Sequence, residues 1–164
     1  MKIRPATTDD CHLIYEWSMD PVTRANGTRG DWHSLEDHTR WYAERLADPN
    51  TLIYIAEDKK WGPVGVIRYQ RVRSGEPMWT GGPLARDDGP AEVSIIVAPG
   101  HRGRRFGRHI LNLALPPKGW THRIRALILP HNTASIRAFE YAGYDRAGEE
   151  TRMGKDHLVY ERAP

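Results

Sequence analysis

The run AEVSIIVAPGHRGRRFGRHILNLAL, residues 91–115, decides the fold. Its first part, AEVSIIVAP, is the most strongly apolar strand pattern in the chain and reads as a strand buried on both faces. Gly100 to Gly107 then leads into an amphipathic helix, Arg108 to Leu115, which Pro116 and Pro117 stop. A strand that feeds a helix through such a loop brings backbone N–H groups to a helix N-terminus, where they can converge on an anion. Gly103 and Gly107 relieve crowding there, and Arg102, Arg104 and Arg105 add positive charge, so the stretch reads as a pyrophosphate cradle. Two other phosphate loops are excluded. The GxxxxGK[ST] spacing of nucleoside-triphosphate loops is absent, and the glycines do not fit the dinucleotide pattern GxGxxG.

Working outward, RIRALILP (123–130) reads as another buried strand, and HNTASIRAFEYAGY (131–144) as a helix capped by Asn132 and closed by Gly143. HLVYER (157–162) is expected to be the last strand. Upstream, TLIYIAED (51–58) and VGVIRYQRV (64–72) form a predicted antiparallel hairpin across KKWGP. The stretch 74–90, rich in Gly, Pro and Asp, is an unusually long loop. A short strand opens the chain at 2–6, followed by a helix over 9–19 and a loop over 20–32. Ser34 caps a second helix that carries Leu35, His38, Trp41 and Tyr42 on one side. The order is β, α, α, three strands, then α, β, α, β. Such an order predicts an α/β or α+β class, with a mixed sheet.

Composition narrows the classes. At 164 residues with no linker or repeat, the chain is expected to be one domain spanning 1–164. The single Cys11 excludes an internal disulfide and a cysteine-based zinc site. Eight His residues give no HExxH and no HxxxH on one helix, so no metal is expected. No apolar run is long enough to span a membrane, and MKIRPATTDDC carries no signal-peptide pattern, so no membrane partner and a cytoplasmic location are expected. The net charge of +3 is mild, and nucleic acid is not expected as a partner.

The loop VAPGHRGRRFGRHIL (97–111) resembles the acyl-coenzyme A loop R/Q-x-x-G-x-G/A of the GNAT N-acetyltransferases. Arg102 fills its first position and Gly107 its last, while Arg105 stands where the inner glycine is usual. NTASIRAFEYAGY (132–144) is similar to the family's following helix, N-x-x-S-x-x-x-F-x-x-x-G-Y/F, and IRPATTDD and PVGVIRY are also typical of it. The resemblance implies a mixed, mainly antiparallel sheet of about six to seven strands, splayed into a V and flanked by about four helices. It implies acetyl-CoA as cosubstrate. The backbone amides of Arg102, Gly103, Arg104, Arg105, Phe106 and Gly107 would hold the pyrophosphate. Backbone groups of Ile95, Ile96 and Val97 would hold the pantetheine, and Asn132 would line the cofactor's exit side.

The expected chemistry is direct attack of a primary amine on the thioester. Glu92 matches the place where many relatives carry the general base; its alternative reading is a carboxylate paired with an Arg. Many relatives protonate the departing thiolate with a Tyr at the position of Phe139. Here Ser135, which matches a subgroup resembling the ribosomal-protein acetyltransferases, takes that role, with Tyr141 as fallback. The first two helices resemble those of enzymes that acetylate nucleotide-linked amino sugars, which would put Trp17, Arg24, His38 and Trp41 on the acceptor side, with Trp79 closing over it. For the two helical Trp residues core packing is the alternative. Protein N-terminal or lysine acetylation is the alternative acceptor, and a catalytically weak acyl-CoA-binding or nucleic-acid-binding module is the alternative class. A homodimer is common among similar proteins.

Overall fold

The computed structural model describes residues 1–28, 34–71 and 90–164. Seven strands form one sheet: β1 (Lys2–Pro5), β2 (Thr51–Asp58), β3 (Gly62–Arg71), β4 (Ala91–Val97), β5 (Ile124–Ile128), β6 (Asp145–Arg152) and β7 (Lys155–Arg162), in the order β1-β2-β3-β4-β5-β7-β6. All pairs are antiparallel except β4 with β5. The helices are α1 (Cys11–Met19), α2 (Pro21–Ala25), α3 (Leu35–Ala47), α4 (Phe106–Leu113) and α5 (Thr133–Tyr141). The mixed, mainly antiparallel sheet is the architecture expected.

Strand alternation sorts the core into two layers. On β2, Ile53 and Ile55 join Ile14 and Trp17 of α1 and Tyr42 of α3, while Leu52, Tyr54 and Ala56 pack with Ile110 and Leu111 of α4. Local caps agree with this packing. The Ser34 hydroxyl accepts from the Asp37 amide at 3.0 Å and opens α3. At the end of α5 the Gly143 amide donates to the Glu140 carbonyl and the Tyr144 amide to the Phe139 carbonyl, with Gly143 at φ 80°. The Phe139 and Tyr144 rings meet edge to face at 4.9 Å and complete this stop signal.

Between β4 and β5 the sheet opens. The register runs Ala91↔Ile124 and Glu92↔Arg125 and then stops, whereas on its other side β4 stays paired with β3 as far as Val97↔Gly65. From Val93 onward β4 therefore offers one edge of backbone donors and acceptors to the gap. The gap is the expected V.

Two elements depart from the sequence reading. The segment 20–32, expected as loop, contains α2, because Asp20 accepts from the Thr23 amide at 2.9 Å and Pro21 suits a first helical turn. Strand β6, DRAGEETR, was not anticipated. It is a solvent-facing edge strand without apolar alternation, held by the turn at Met153 and Gly154, both at positive φ, and by seven residue pairings to β7.

Gly65 marks the tightest contact in the sheet. A Cβ there would lie 2.7 Å from the Ile96 carbonyl oxygen and 2.8 Å from Ile110 Cδ1. Gly65→Ala is expected to lower stability by about 1–3 kcal/mol through overpacking, read as a lower urea midpoint at unchanged slope; an unshifted midpoint would contradict this packing.

Candidate active site

A cleft of about 910 Å³ enters the gap between β4 and β5 and continues to a wall built from α1, α2 and α3. On the strand side it is lined by Glu92, Ile95, Ile96 and Val97 of β4. The loop before α4 contributes Arg102, Gly103, Arg105, Phe106 and Gly107, and α5 contributes Asn132, Ser135 and Tyr141.

The loop is built differently from a plain cationic cradle. Arg105, at the N-cap of α4, lies at φ 65° and ψ 12°, the left-handed region that glycine favours. The turn is thus kept without the glycine, at a cost of about 1 kcal/mol for a side chain in that region. Gly103, at φ 74°, needs the same freedom. The Arg102 guanidinium donates to Asp20 Oδ2 at 2.5 Å and to Thr23 Oγ1 at 2.7 Å. Its hydrogen bond, with that of the Thr23 amide, holds the Asp20 carboxyl below the usual carboxylate range. Arg102 therefore anchors the loop to α2. Arg104 is off the cleft wall, with its guanidinium 4.5 Å over the Trp61 ring.

Glu92 is 1% exposed, and both its oxygens are taken: Arg152 Nη1 donates to Oε2 at 2.8 Å and Nη2 to Oε1 at 2.9 Å. Arg152 also donates to Glu150 at 2.5 Å, and Glu150 pairs with Arg125 of β5. Burial opposes the charge on Glu150, but the two guanidinium groups hold its carboxyl below the ordinary value. A carboxylate clasped in this bidentate way has each oxygen already accepting from the guanidinium. The Arg-paired reading of Glu92 is the one this geometry favours.

On the helical wall of the cleft, α3 presents His38 and Trp41 at one helical turn's spacing, and α2 presents Arg24. His38 is 1% exposed, faces Tyr15 and Tyr42, and has Nδ1 3.6 Å from Cys11 Sγ. Burial, with the nearby charge of Arg68, pushes its pKa down to about 4, so the ring is neutral at neutral pH. The Arg68 guanidinium lies 4.9 Å over Trp41. Trp17 is not on the wall. It is 7% exposed in the core against Ile14 and Tyr42, as the apolar face of α1 requires. Trp79 lies outside the described residues.

Ser135 is half-buried at the third position of α5, where its amide donates to Asn132 Oδ1 at 3.2 Å. Its hydroxyl has no hydrogen-bond partner among the described residues and sits on the cleft wall. Tyr141 is 62% exposed, farther along α5, with Arg108 4.2 Å over its ring. Phe139 is buried. The residues that sequence reasoning missed are Arg68 and Arg152, both on the cleft wall. Arg152 was hidden with β6, and only the Met-Gly turn after it signals a hairpin. Among the described residues no three His, Cys, Asp or Glu side chains gather as a metal site, and no helix is long and apolar enough to cross a membrane.

Residues 1–145 match the family model described as the acetyltransferase (GNAT) domain. Among solved structures, aminoglycoside acetyltransferase AAC(6')-Ib in complex with coenzyme A and kanamycin superposes with a TM-score of 0.79 at 21% identity, covering 99% of this chain and 94% of the other. Spermidine N-acetyltransferase from Vibrio cholerae in complex with CoA and spermine gives a TM-score of 0.79 at 18% identity, covering 99% and 94%. At these identities the likeness is one of fold. No curated protein matches the chain.

The buried His38 sets a pH dependence. Its folded pKa of about 4 lies below the ordinary 6.5, so the unfolded chain binds the proton first and the stabilising contribution, full above about 6.5, is lost as pH falls towards 4. The melting temperature of the native protein is expected to fall more steeply across that window than that of His38→Gln; parallel curves would show that His38 is not the titrating group.

Proposed function

The chain belongs to the GNAT acetyltransferase family, whose acyl donor is acetyl-CoA, and from that premise we propose that it acetylates a primary amine of a small molecule, a nucleotide-linked amino sugar being the favoured acceptor. The observation that carries this reading is the continuity of one cleft from the open edge of β4 and the α4 loop to the wall of α1, α2 and α3. An acyl donor laid along β4 would bring its thioester to the point where an amine held by the helices can attack.

The charge of the walls supports the choice of acceptor. Among the described residues lining the cleft the one carboxylate is Glu92, which Arg152 occupies, while Arg24, Arg68 and Arg152 stand on the same walls. A polycation such as spermine or an aminoglycoside is favoured by a wall rich in carboxylates and disfavoured by one rich in guanidinium groups. A sugar ring against Trp41 with a diphosphate towards the arginines suits this lining better.

In the reaction the neutral amine nitrogen attacks the carbonyl carbon, the C–S bond breaks, and the thiolate must gain a proton. Ser135 is assigned as the donor, through its free hydroxyl on the cleft wall, and recovers a proton from the ammonium by way of water. Phe139 has no proton to give. Glu92 is assigned to the clasp with Arg152, which fixes the closed end of the gap, where β4 and β5 part; the amine's proton leaves through water.

Release of free CoA is the direct test. With acetyl-CoA, purified protein is expected to turn over nucleoside-diphosphate-linked amino sugars and to ignore spermidine and kanamycin; turnover confined to the polycations would overturn the acceptor, and no CoA release with any amine the enzyme reading. Ser135→Ala is expected to lower kcat by roughly 100-fold with the KM for acetyl-CoA unchanged. Glu92→Gln is expected to cost about 3–5 kcal/mol of stability without removing the acid limb of the kcat/KM profile; loss of that limb would make Glu92 the base.

A further inference from the structure

Strand alternation turns one face of β3 towards the cleft. Val66, Arg68 and Gln70 line it, while Ile67 and Tyr69 between them belong to the other core layer, with Ile110 and Leu111 of α4. Gln70 is 6% exposed, yet its carboxamide has no hydrogen-bond partner among the described residues. Its neighbour across the register, Glu92, is clasped by Arg152 and makes no bond with it. Two residues along β4 on the same face, Ser94 is half-buried on the cleft wall, and its hydroxyl is likewise without a partner among the described residues. Ser94 pairs with Arg68 in the register, so Ser94 and Gln70 are diagonal neighbours on adjacent strands.

A buried carboxamide without a protein partner is costly, and a methionine of similar volume would fill the same space without that cost. Packing therefore does not account for Gln70. A polar group on a cleft wall is satisfied by water until a ligand arrives, and a ligand that displaces the water has to replace its hydrogen bonds. Gln70 and Ser94 are both neutral, and each can donate and accept. An ammonium group only donates and a phosphate diester only accepts, so neither satisfies the pair, whereas a hydroxyl does both. Attack takes place at the open edge of β4, and Gln70 stands one strand farther from the gap. It therefore meets a group beside the amine and not the amine itself.

We propose that Gln70 and Ser94 form a subsite that recognises a hydroxyl on the carbon next to the acetylated amine of the acceptor. The carboxamide nitrogen donates to that oxygen, and the hydroxyl's own proton goes to the Ser94 oxygen. The inference rests on the amino-sugar reading above and deepens it: the acceptor is a vicinal amino alcohol, and its deoxy analogue is rejected.

The test measures CoA release from acetyl-CoA with a set of nucleoside-diphosphate-linked 2-, 3- and 4-amino sugars, the fastest then being compared with its analogue lacking the hydroxyl beside the amine. The native protein is expected to prefer the hydroxylated acceptor roughly 10- to 100-fold in kcat/KM, the range of one hydrogen-bonded group and the partners its loss leaves unpaired. Gln70→Met should remove this preference by slowing the hydroxylated acceptor alone, with the KM for acetyl-CoA unchanged and the urea midpoint raised; Ser94→Ala should narrow the same ratio. Equal kcat/KM of the native protein for the two acceptors, or a Gln70→Met variant that keeps the preference, overturns the subsite and leaves the amino-sugar reading standing. A lowered midpoint in Gln70→Met with equal losses on both acceptors makes Gln70 a structural residue and overturns it too. Turnover of none of the amino-sugar nucleotides overturns the acceptor reading and the subsite with it.

Discussion

A strand that is paired on one side and open on the other governs this molecule. β4 is hydrogen-bonded to β3 along its length but to β5 through Ala91 and Glu92 alone. Buried backbone groups without partners are costly, so a strand edge left open inside a fold must meet either water or a ligand. The gap has to be held at a fixed width for that edge to be useful. The chain Glu92, Arg152, Glu150, Arg125 does so at its closed end, tying β4 to β6 and β6 to β5 by charge-assisted hydrogen bonds in a largely buried place. These charges hold geometry more than they add stability, since desolvation offsets much of their attraction.

The distribution of arginines follows the same logic. Arg102 is committed to Asp20 and Thr23 and thereby joins the loop before α4 to α2 on the helical wall of the cleft. Arg104 lies on Trp61, outside the cleft. The backbone of the loop is shaped by Gly103 and Arg105, both at positive φ. Within one sequence cluster Arg102 is ion-paired, Arg104 lies on a ring and Arg105 takes a left-handed turn, differences that linear spacing alone does not distinguish.

The helical wall of the cleft is aromatic and holds a neutral imidazole. His38 is enclosed by Tyr15, Trp41 and Tyr42 and cannot carry charge at neutral pH, so it contributes hydrogen bonding and shape to the wall without attracting an anion. The guanidinium groups supply the charge. This division suits a ligand with a flat, weakly polar part and a separate anionic part.

What the sequence determined by itself was everything carried by short-range patterns. The strand, loop and helix of 91–113, the Asn132 and Ser34 caps, the Gly143 stop and the hairpin of β2 and β3 follow from local propensity and spacing, and they were legible together with the family they resemble. Tertiary structure decided the rest. β6 is an edge strand with no apolar face, so periodicity gives no sign of it, and with it went Arg152, 60 residues from its partner Glu92. Trp17 and Trp41 both sit on apolar helix faces, yet one is core and the other lines the cleft. Pattern says that a side chain points inward; only the packing of helices against a sheet says whether the space it meets is filled or open.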